Sequence, residues 1–176
     1  MANREALREL QTRLASRLQA ARTEGMSVAW LAVKAGGSNY LFPLGQSGEI
    51  VPLSMVQAVP YALDWFRGVL NIRGGLFGVV DLAGFIAVSS GEVRKEPVVA
   101  DPSVVTLNSL LEVNCALQVD TLLGLRGPDA FASYQPPAED APGYFGNQFV
   151  DAAGESWQEI NLRTLSQTPQ FLSISA

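Results

Sequence analysis

Three aspartates and one cysteine are the side chains of this sequence best suited to acid–base or nucleophilic chemistry. Asp64, Asp81 and Asp120 could supply a carboxylate pair, and Cys115 could supply a thiolate. The chain has no histidine, which removes the commonest general base and the commonest metal ligand. A carboxylate that ends an apolar run, as Asp81 and Asp120 do, more often accepts backbone N–H bonds. Cys115 lies among apolar strand residues, where a thiol is usually buried and inert. We therefore predict no catalytic residue, no metal site and no cofactor.

The segment GVLNIRGGLFGVVDL, residues 68–82, combines apolar residues with Asn71, Arg73 and Asp81. Charged residues in such a segment usually belong to a catalytic site, a buried ion pair or a partner-binding surface. The glycines do not form a phosphate-binding loop, because GxxxxGK[ST] is absent and no helical pattern follows. The alternation around a glycine pair instead predicts a β-hairpin with Gly74-Gly75 as a two-residue turn.

This hairpin has two unlike faces, since side chains alternate along a strand. One face is wholly apolar in its middle and is expected to point to the core: Leu70, Ile72, Phe77 and Val79. The other face is mixed: Val69, Asn71, Arg73, Leu76, Gly78 and Val80. A half-covered face with a guanidinium at its rim is typical of a protein-docking surface. The alternative is that Arg73 is an ordinary exposed cation at a strand end.

A helix is predicted at residues 3–24, ahead of the β segments. Apolar residues spaced by three or four form one stripe: Leu7, Leu10, Leu14, Leu18 and Ala21. Asn3 is a good N-cap, and Gly25 is a good C-terminal stop. So narrow a stripe suits packing on the body of the protein or on another helix.

The remainder of the chain is dominated by short strand patterns without βαβ alternation. Strands are predicted at 28–34, 39–44, 48–53, 103–107, 111–123 and 157–162, in addition to the hairpin. Residues 59–66 read as a turn or short helix, and 161–168 as a short terminal helix. Long loops are predicted at 89–102 and at 126–146, the latter exposed and mobile because it is rich in Pro and Gly. The pattern favours an all-β fold of small barrels with minor helix.

Charge and hydropathy exclude some classes of function. The net charge is −5, and residues 1–24 contain five arginines and three glutamates, so the basic surplus lies in the first helix. An acidic body argues against nucleic acid as a partner. The longest apolar run is interrupted by Asp81, which argues against membrane insertion. One cysteine permits no intramolecular disulfide, and the charged N-terminal segment has no apolar signal core. These features predict a cytoplasmic setting.

The segment PYALDWFRGVLNIRGGLFGVVDL, residues 60–82, resembles the signature of CheW-like domains. Its matching positions are Pro60, Gly68, Val69, Asn71, Arg73, Gly74, Val79, Asp81 and Leu82. Two weaker matches occur in the same order as in the family: the pair Glu49-Ile50 upstream and Val119-Asp120 downstream. The resemblance spans about residues 28–165. The helix and the ending WQEINLRTLSQTPQFLSI are similar to the PilI-like branch, which serves type IV pili and twitching motility.

The resemblance implies two intertwined, five-stranded SH3-like β-barrels in residues 27–176, preceded by an amphipathic helix in residues 1–26. It also implies a non-catalytic adaptor that couples the signalling tip of a methyl-accepting chemoreceptor to the regulatory domain of a CheA-type histidine kinase. Such an adaptor is cytoplasmic and recruited to membrane receptor arrays. The alternatives are a flagellar chemotaxis adaptor, a small-ligand-binding barrel and a carboxylate-based enzyme.

The same resemblance suggests the partner-binding residues. Arg73 and Asn71 would face the receptor, with Val69 and Gly74 on the same hairpin, and Glu49 would orient Arg73. Ser47 stands where the family often has valine, so an apolar contact would be lost there. Gly78 replaces the usual proline after the turn. Asp81 and Asp120 are expected to be structural, through backbone hydrogen bonds. The kinase domain would dock on the barrel ends, through the second lobe.

Overall fold

The computed structural model describes residues 2–23, 30–94 and 101–174, with side chains described from residue 4 to 15 in the first of these ranges. Short 3-10 turns occur at Leu44–Gln46, Ser109–Leu111 and Pro128–Ala130. The helices and strands are α1 Ala2–Thr23, β1 Trp30–Ala35, β2 Ser38–Pro43, β3 Ser47–Pro52, β4 Phe66–Ile72, β5 Gly75–Asp81, α2 Leu82–Ser90, β6 Ser103–Leu107, β7 Cys115–Val119, β8 Thr121–Arg126, β9 Phe131–Gln135, β10 Phe145–Asp151, β11 Ser156–Ile160, α3 Leu162–Gln167 and α4 Pro169–Leu172.

The strands form two sheets. A six-stranded sheet has the order β8-β1-β2-β11-β10-β9, and a five-stranded sheet has the order β3-β6-β7-β5-β4. Neighbouring strands are antiparallel, except for the parallel pairs β2–β11 and β5–β7. The predicted all-β class with minor helix and two lobes is confirmed. One lobe has six strands rather than the expected five, and closure of each sheet into a barrel stays a prediction.

Both sheets are apolar on both faces, so buried residues alternate between two neighbouring cores. In β7, Cys115, Leu117 and Val119 belong to a central core, whereas Ala116 points to the opposite side. The central core contains residues of both sheets. A second core lies on the other face of the six-stranded sheet, around Trp30 and Trp157. The third core lies on the other face of the five-stranded sheet. Burial on both faces explains why these strands read as continuous apolar runs.

The predicted strand 111–123 is wrong as a single element. The chain leaves the five-stranded sheet at the end of β7 and enters the six-stranded sheet at the start of β8, with Asp120 between them. Asp120 donates its backbone N–H to the carbonyl of Lys34 at 2.9 Å, so this crossover is tied to β1. Apolar periodicity continues through the crossover, and the pattern alone therefore gave no sign of it.

Residues 126–146 are only partly a loop, because they contain β9 and the first residues of β10. β9 pairs with β10, and Tyr134 lies over Phe149 with their ring centroids 5.9 Å apart. The strand is five residues long and lies between Pro128 and Pro136. Prolines end strands as well as mark loops, so this short strand was hidden in a segment rich in loop-forming residues.

Residues 82–90 form the helix α2, which the sequence pattern did not predict, and the last two of these residues had been assigned to the loop at 89–102. Most of α2 is buried, so its sequence is apolar on every side and lacks a helical period. Gly91 ends the helix with φ at +70°, the left-handed conformation usual for a C-terminal glycine. Residues 95–100 of the predicted loop lie outside the described residues.

The helix α1 packs on the body, against β3, β8 and the turn Leu44–Gln46. Leu14 joins the central core, and Gln11 donates a hydrogen bond to Ser103 Oγ at 2.8 Å. Leu10 is 48 % exposed, so the predicted stripe is wrong at this position. Leu18 and Ala21 lie outside the described side chains. The helix α1 therefore lies beside β3 and β8, the terminal strands of the two sheets. No helix in the described ranges is long and apolar enough to cross a membrane.

Candidate partner-docking site at the β4–β5 hairpin

The hairpin turns one residue earlier than its glycine pair predicts. Ile72 pairs with Gly75, which leaves Arg73 and Gly74 as the two turn residues. Their φ angles are +50° and +84°, both in the left-handed region that a type I′ turn requires. The predicted Gly74-Gly75 turn is therefore wrong. The two predicted faces survive, because moving the turn by one residue shifts each cross-strand partner by two and leaves the parity unchanged.

Asn71 holds this turn rather than projecting freely. Its Oδ1 accepts a hydrogen bond from the backbone N–H of Gly74 at 3.0 Å. A left-handed conformation costs a non-glycine residue such as Arg73 roughly 1–2 kcal/mol, and the Asn71 hydrogen bond offsets part of that cost. Strain of this kind persists only where the surroundings impose it, and it is common in binding loops. The motif Asn-x-Arg-Gly therefore fixes the backbone from which the guanidinium projects.

The guanidinium of Arg73 meets the carboxylate of Glu49, with Nη1 and Oε1 3.0 Å apart. The side chains are 81 % and 46 % exposed. Glu49 lies on β3 and Arg73 follows β4, the two terminal strands of the five-stranded sheet. The contact therefore requires the sheet to curve until its opposite edges approach one another. An exposed pair of this kind contributes only about 0–1 kcal/mol to folding, so both charges are available to a partner.

The backbone around Glu49 is held by Thr106 of β6. The Glu49 N–H donates to Thr106 Oγ1 at 2.6 Å. A side chain at Gly48 would have its Cβ 2.1 Å from the same hydroxyl oxygen, so no larger residue fits there without a shift. Ser47 is fully buried, and its hydroxyl donates to the carbonyl of Pro43 at 3.0 Å. The expected contact of the Ser47 side chain with a receptor therefore needs correction, because this side chain points inward.

An open cleft of about 280 Å³ lies between the hairpin tip and β3. Its walls combine apolar and polar side chains: Ile72, Phe77, Thr106, Asn108, Val113 and Asn114. The Arg73–Glu49 pair stands at this cleft. A mixed, open cleft beside an exposed charge pair suits one or two side chains of a protein partner, whereas a small-ligand site is more enclosed and more apolar.

The remaining two predicted residues lie at different distances from the turn. Gly74 is exposed and is, with Arg73, one of the two turn residues. Val69 is half-buried on β4, where its backbone exchanges two hydrogen bonds with Gln57, at 2.8 and 2.9 Å. The structure thus brings Arg73, Asn71, Gly74 and Glu49 together and places Val69 farther along the strand.

Asp81 and Asp120 face a shared partner that the sequence had not indicated. Arg94 donates from Nε and Nη2 to the Asp81 carboxylate and from Nη2 to Asp120 Oδ1 at 3.1 Å. Asp120 Oδ2 also accepts the N–H of Gly36 at 2.8 Å, so its predicted backbone bonding is confirmed. Asp81, predicted to bond to backbone, is instead ion-paired. Arg94 lay in a predicted loop without periodicity, so no sequence signal connected it to carboxylates 13 and 26 residues away.

The other candidate catalytic groups are not assembled into a site. Burial raises the pKa of the Cys115 thiol to about 12, so it is a thiol rather than a thiolate at neutral pH. Asp64 is exposed on another segment. Among the described residues, no three His, Cys, Asp or Glu side chains are grouped as metal ligands would be.

Residues 29–169 match the family described as CheW-like domain. The chain belongs to this family. A CheW-like domain thus covers both sheets, the hairpin and the Arg94 cluster, and the resemblance seen in the sequence is confirmed.

Two individual proteins are similar to this CheW-like chain. Protein PilI of Pseudomonas aeruginosa is 28 % identical over 165 residues, which cover 93 % of this chain and 89 % of PilI. The crystal structure of the scaffolding protein CheW from Thermoanaerobacter tengcongensis superimposes with a TM-score of 0.62 at 16 % identity. It covers 77 % of this chain and 89 % of that protein, and at this identity it shows a shared fold.

Proposed function

We propose that this CheW-like protein is a non-catalytic adaptor that couples a methyl-accepting chemoreceptor to a CheA-type histidine kinase, in the signalling system of type IV pili. The single observation behind the proposal is the exposed Arg73, presented on a left-handed turn by Asn71 and paired only weakly with Glu49. A residue so exposed and so constrained adds little to folding, and its presentation suits an intermolecular contact.

The receptor's signalling tip binds at the hairpin cleft. Arg73 supplies a planar, two-point hydrogen-bond donor for a carboxylate or carbonyl groups of the receptor. Glu49 holds the guanidinium in place before binding, which reduces the entropy lost when the complex forms. Asn71 and Gly74 act through the turn, and Val69 extends the surface along β4. Ser47 is fully buried and therefore makes no direct contact with a partner at this surface.

The proposal of a pilus system rests on the similarity to PilI, which extends over 93 % of the chain and therefore includes at least part of α1. The adaptor role is supported by the family and by the scaffolding protein of the same fold. We place the adaptor in the cytoplasm, recruited to membrane receptor arrays, with residues 1–26 as a helical extension of a CheW-like domain at 27–176. A flagellar chemotaxis system is the alternative pathway.

The test is formation of a ternary complex. The purified chain is mixed with a receptor signalling domain and with the kinase regulatory domain from the same organism, separately and together, and followed by size-exclusion chromatography with light scattering. We expect two binary complexes and one ternary complex. Binding of either probe only in the absence of the other would contradict an adaptor role, and binding of neither would contradict the proposed partners.

A further inference from the structure

Two exposed leucines stand at the end of the five-stranded sheet that carries the hairpin turn. Leu76 follows the turn on β5 and is 62 % exposed. Leu110 lies in the 3-10 turn Ser109–Leu111, between β6 and β7, and is 78 % exposed. β5 and β7 run parallel, and the Gly78 N–H donates to the carbonyl of Asn114 at 3.0 Å. The connection between β6 and β7 therefore lies beside the first residues of β5, next to the hairpin turn.

The 3-10 turn holds Leu110 outward on a fixed backbone. Asn108 caps the turn, since its Oδ1 accepts the Leu110 N–H at 2.9 Å. Asn108 is itself tied to the turn between β2 and β3: its N–H donates to Gln46 at 2.9 Å, and its Nδ2 donates to Gly45 at 3.2 Å. Leu111, the next residue, packs on the central core. One leucine thus anchors the turn, and its neighbour is left in solvent on a backbone that a partner need not order.

The same turn belongs to the cleft at Arg73. The residues on either side of the exposed leucine line this cleft: Asn108, Ser109, Val113 and Asn114. Arg73 and Glu49 line it as well. Leu110 therefore stands at the rim of the cleft where we propose that the receptor binds, and its apolar surface continues that site.

A charged contact in open water is weak, and Arg73 is 81 % exposed before a partner binds. In binding hot spots, an arginine at the centre is surrounded by contacts that exclude water once the complex forms. Leu76 on the hairpin and Leu110 on the neighbouring turn are placed to exclude water in this way. Without them, the bond between the guanidinium and the receptor would remain hydrated and screened by salt.

We propose that Leu76 and Leu110 are the apolar contacts that complete the receptor site, and that the receptor's signalling tip presents apolar side chains beside the group that Arg73 binds. This inference rests on the proposed function and adds the specificity of its receptor site. Arg73 selects a carboxylate or carbonyl group, and the leucines select what surrounds it. A tip with a charged side chain against either leucine would lose hydration without gaining a partner, and would bind more weakly.

The experiment titrates the full chain with the receptor signalling domain and with the kinase regulatory domain, by calorimetry at several temperatures and at two salt concentrations. The variants are Leu110→Ser and Leu76→Ser, with Arg73→Ala for comparison. Leu172→Ser is the matched control, since Leu172 is 60 % exposed on α4 and does not line the cleft. Thermal melts accompany each variant, and we expect little change because both leucines are exposed.

We expect each cleft leucine variant to weaken receptor binding at least about tenfold, and Leu172→Ser to bind as the parent does. The heat-capacity change of receptor binding should become less negative in the two leucine variants, because less apolar surface is buried. Their receptor binding should still weaken as salt rises, whereas Arg73→Ala should lose much of this salt dependence. Binding of the kinase domain should be unchanged throughout.

Receptor affinity equal to that of the parent would overturn the inference and leave the adaptor role intact. Weakened receptor binding with the heat-capacity change of the parent would overturn it too, because the leucines would then not be buried in the complex. Loss of kinase-domain binding alone would place the leucines on the surface of the other partner, which also contradicts the inference. A parent chain that binds neither domain would overturn the proposed function itself.

Discussion

At the scale of single residues, the candidate catalytic groups Asp81, Asp120 and Cys115 have structural roles. Arg94 binds two carboxylates, and the Cys115 thiol is buried with a raised pKa. The carboxylate of Asp151 also has a structural role, because it accepts three hydrogen bonds within the fold. Its Oδ2 accepts the Trp157 indole N–H at 3.0 Å, while its Oδ1 accepts the N–H groups of Ala153 and Glu155 at 2.9 Å. Arg73 and Glu49, by contrast, are exposed and only weakly paired, so a partner can use their charges.

Asp151 leads to a prediction on pH. The Trp157 hydrogen bond first, and then the Glu155 N–H, hold the pKa of Asp151 below its usual value. A carboxyl whose pKa is lower in the folded state stabilises the fold above the unfolded pKa of about 3.9, and this contribution disappears as the pH falls through the folded pKa. Asp151→Asn should therefore lower Tm at pH 7, and the difference from the parent should shrink below about pH 4.

Thermal melts from pH 7 to below pH 3 measure this difference, with Asp140→Asn in an exposed loop as the control. A difference in Tm that stays constant down to the lowest pH would mean that the charge of Asp151 has no stabilising role, and that the variant acts through geometry alone.

At the scale of secondary structure, periodicity predicted the elements that have one apolar and one polar face. It predicted α1, the hairpin and the short terminal helix to within a few residues. It failed where burial removes the polar face, as in α2, and where β7 passes into β8 without a break in hydrophobicity. The turn was predicted one residue too late, although the Asn-x-Arg-Gly motif shapes it locally, and the docking role of its residues stays a prediction. The burial of Ser47 and the pairing of Arg94 depend on tertiary contacts that no local pattern contains.

The packing of α1 predicts the result of removing it. Deletion of residues 1–24 removes the contacts of α1 with β3 and β8 and leaves Ser103 without Gln11, but most of the central core comes from the sheets. A β domain of about 150 residues buries enough surface to fold alone. We expect the truncated chain to melt cooperatively at a lower Tm and to be less soluble, because the apolar surface under Leu14 becomes exposed.

Calorimetry and sedimentation of the truncated chain test this expectation, with the variant Leu10→Ser as a control for loss of an exposed leucine on the same helix. If the truncated chain has no cooperative transition, α1 is an obligatory part of the fold, and the division at residue 26 is wrong.

At the scale of the whole molecule, two sheets share one central core, and Arg94 connects elements of both. Asp81 ends β5 of one sheet, whereas Asp120 begins the crossover into the other sheet and binds Gly36 of the β1–β2 turn. The cluster lies at the end of β5 that is farthest from the hairpin turn, and it fixes how the two lobes meet. The proposed receptor surface, with Arg73 and Glu49, lies on the five-stranded sheet.

Removal of Arg94 should therefore be costly. Arg94→Ala leaves two carboxylates buried near each other without this counter-charge, and breaking a buried ion pair by removing one partner costs roughly 3–5 kcal/mol. Arg94→Lys should recover only part of this, because an ammonium cannot bind both carboxylates with the planar geometry of a guanidinium. Chemical denaturation measures the loss, and Arg163→Ala, at an exposed position on α3, is the control. A loss equal to that of Arg163→Ala would refute the role of this cluster.

The most direct test of the adaptor account is the effect of Arg73→Ala on the two partners. We measure Tm and the affinities for the receptor signalling domain and the kinase regulatory domain, with Arg73→Lys and Arg163→Ala alongside. Arg73→Ala should change stability by about 1 kcal/mol or less, weaken receptor binding by about 2 kcal/mol or roughly thirtyfold, and leave kinase-domain binding unchanged. Arg73→Lys should restore little of the receptor affinity. Receptor affinity equal to that of the parent, in a protein with an intact melt, would contradict the account and return Arg73 to the role of an ordinary surface cation.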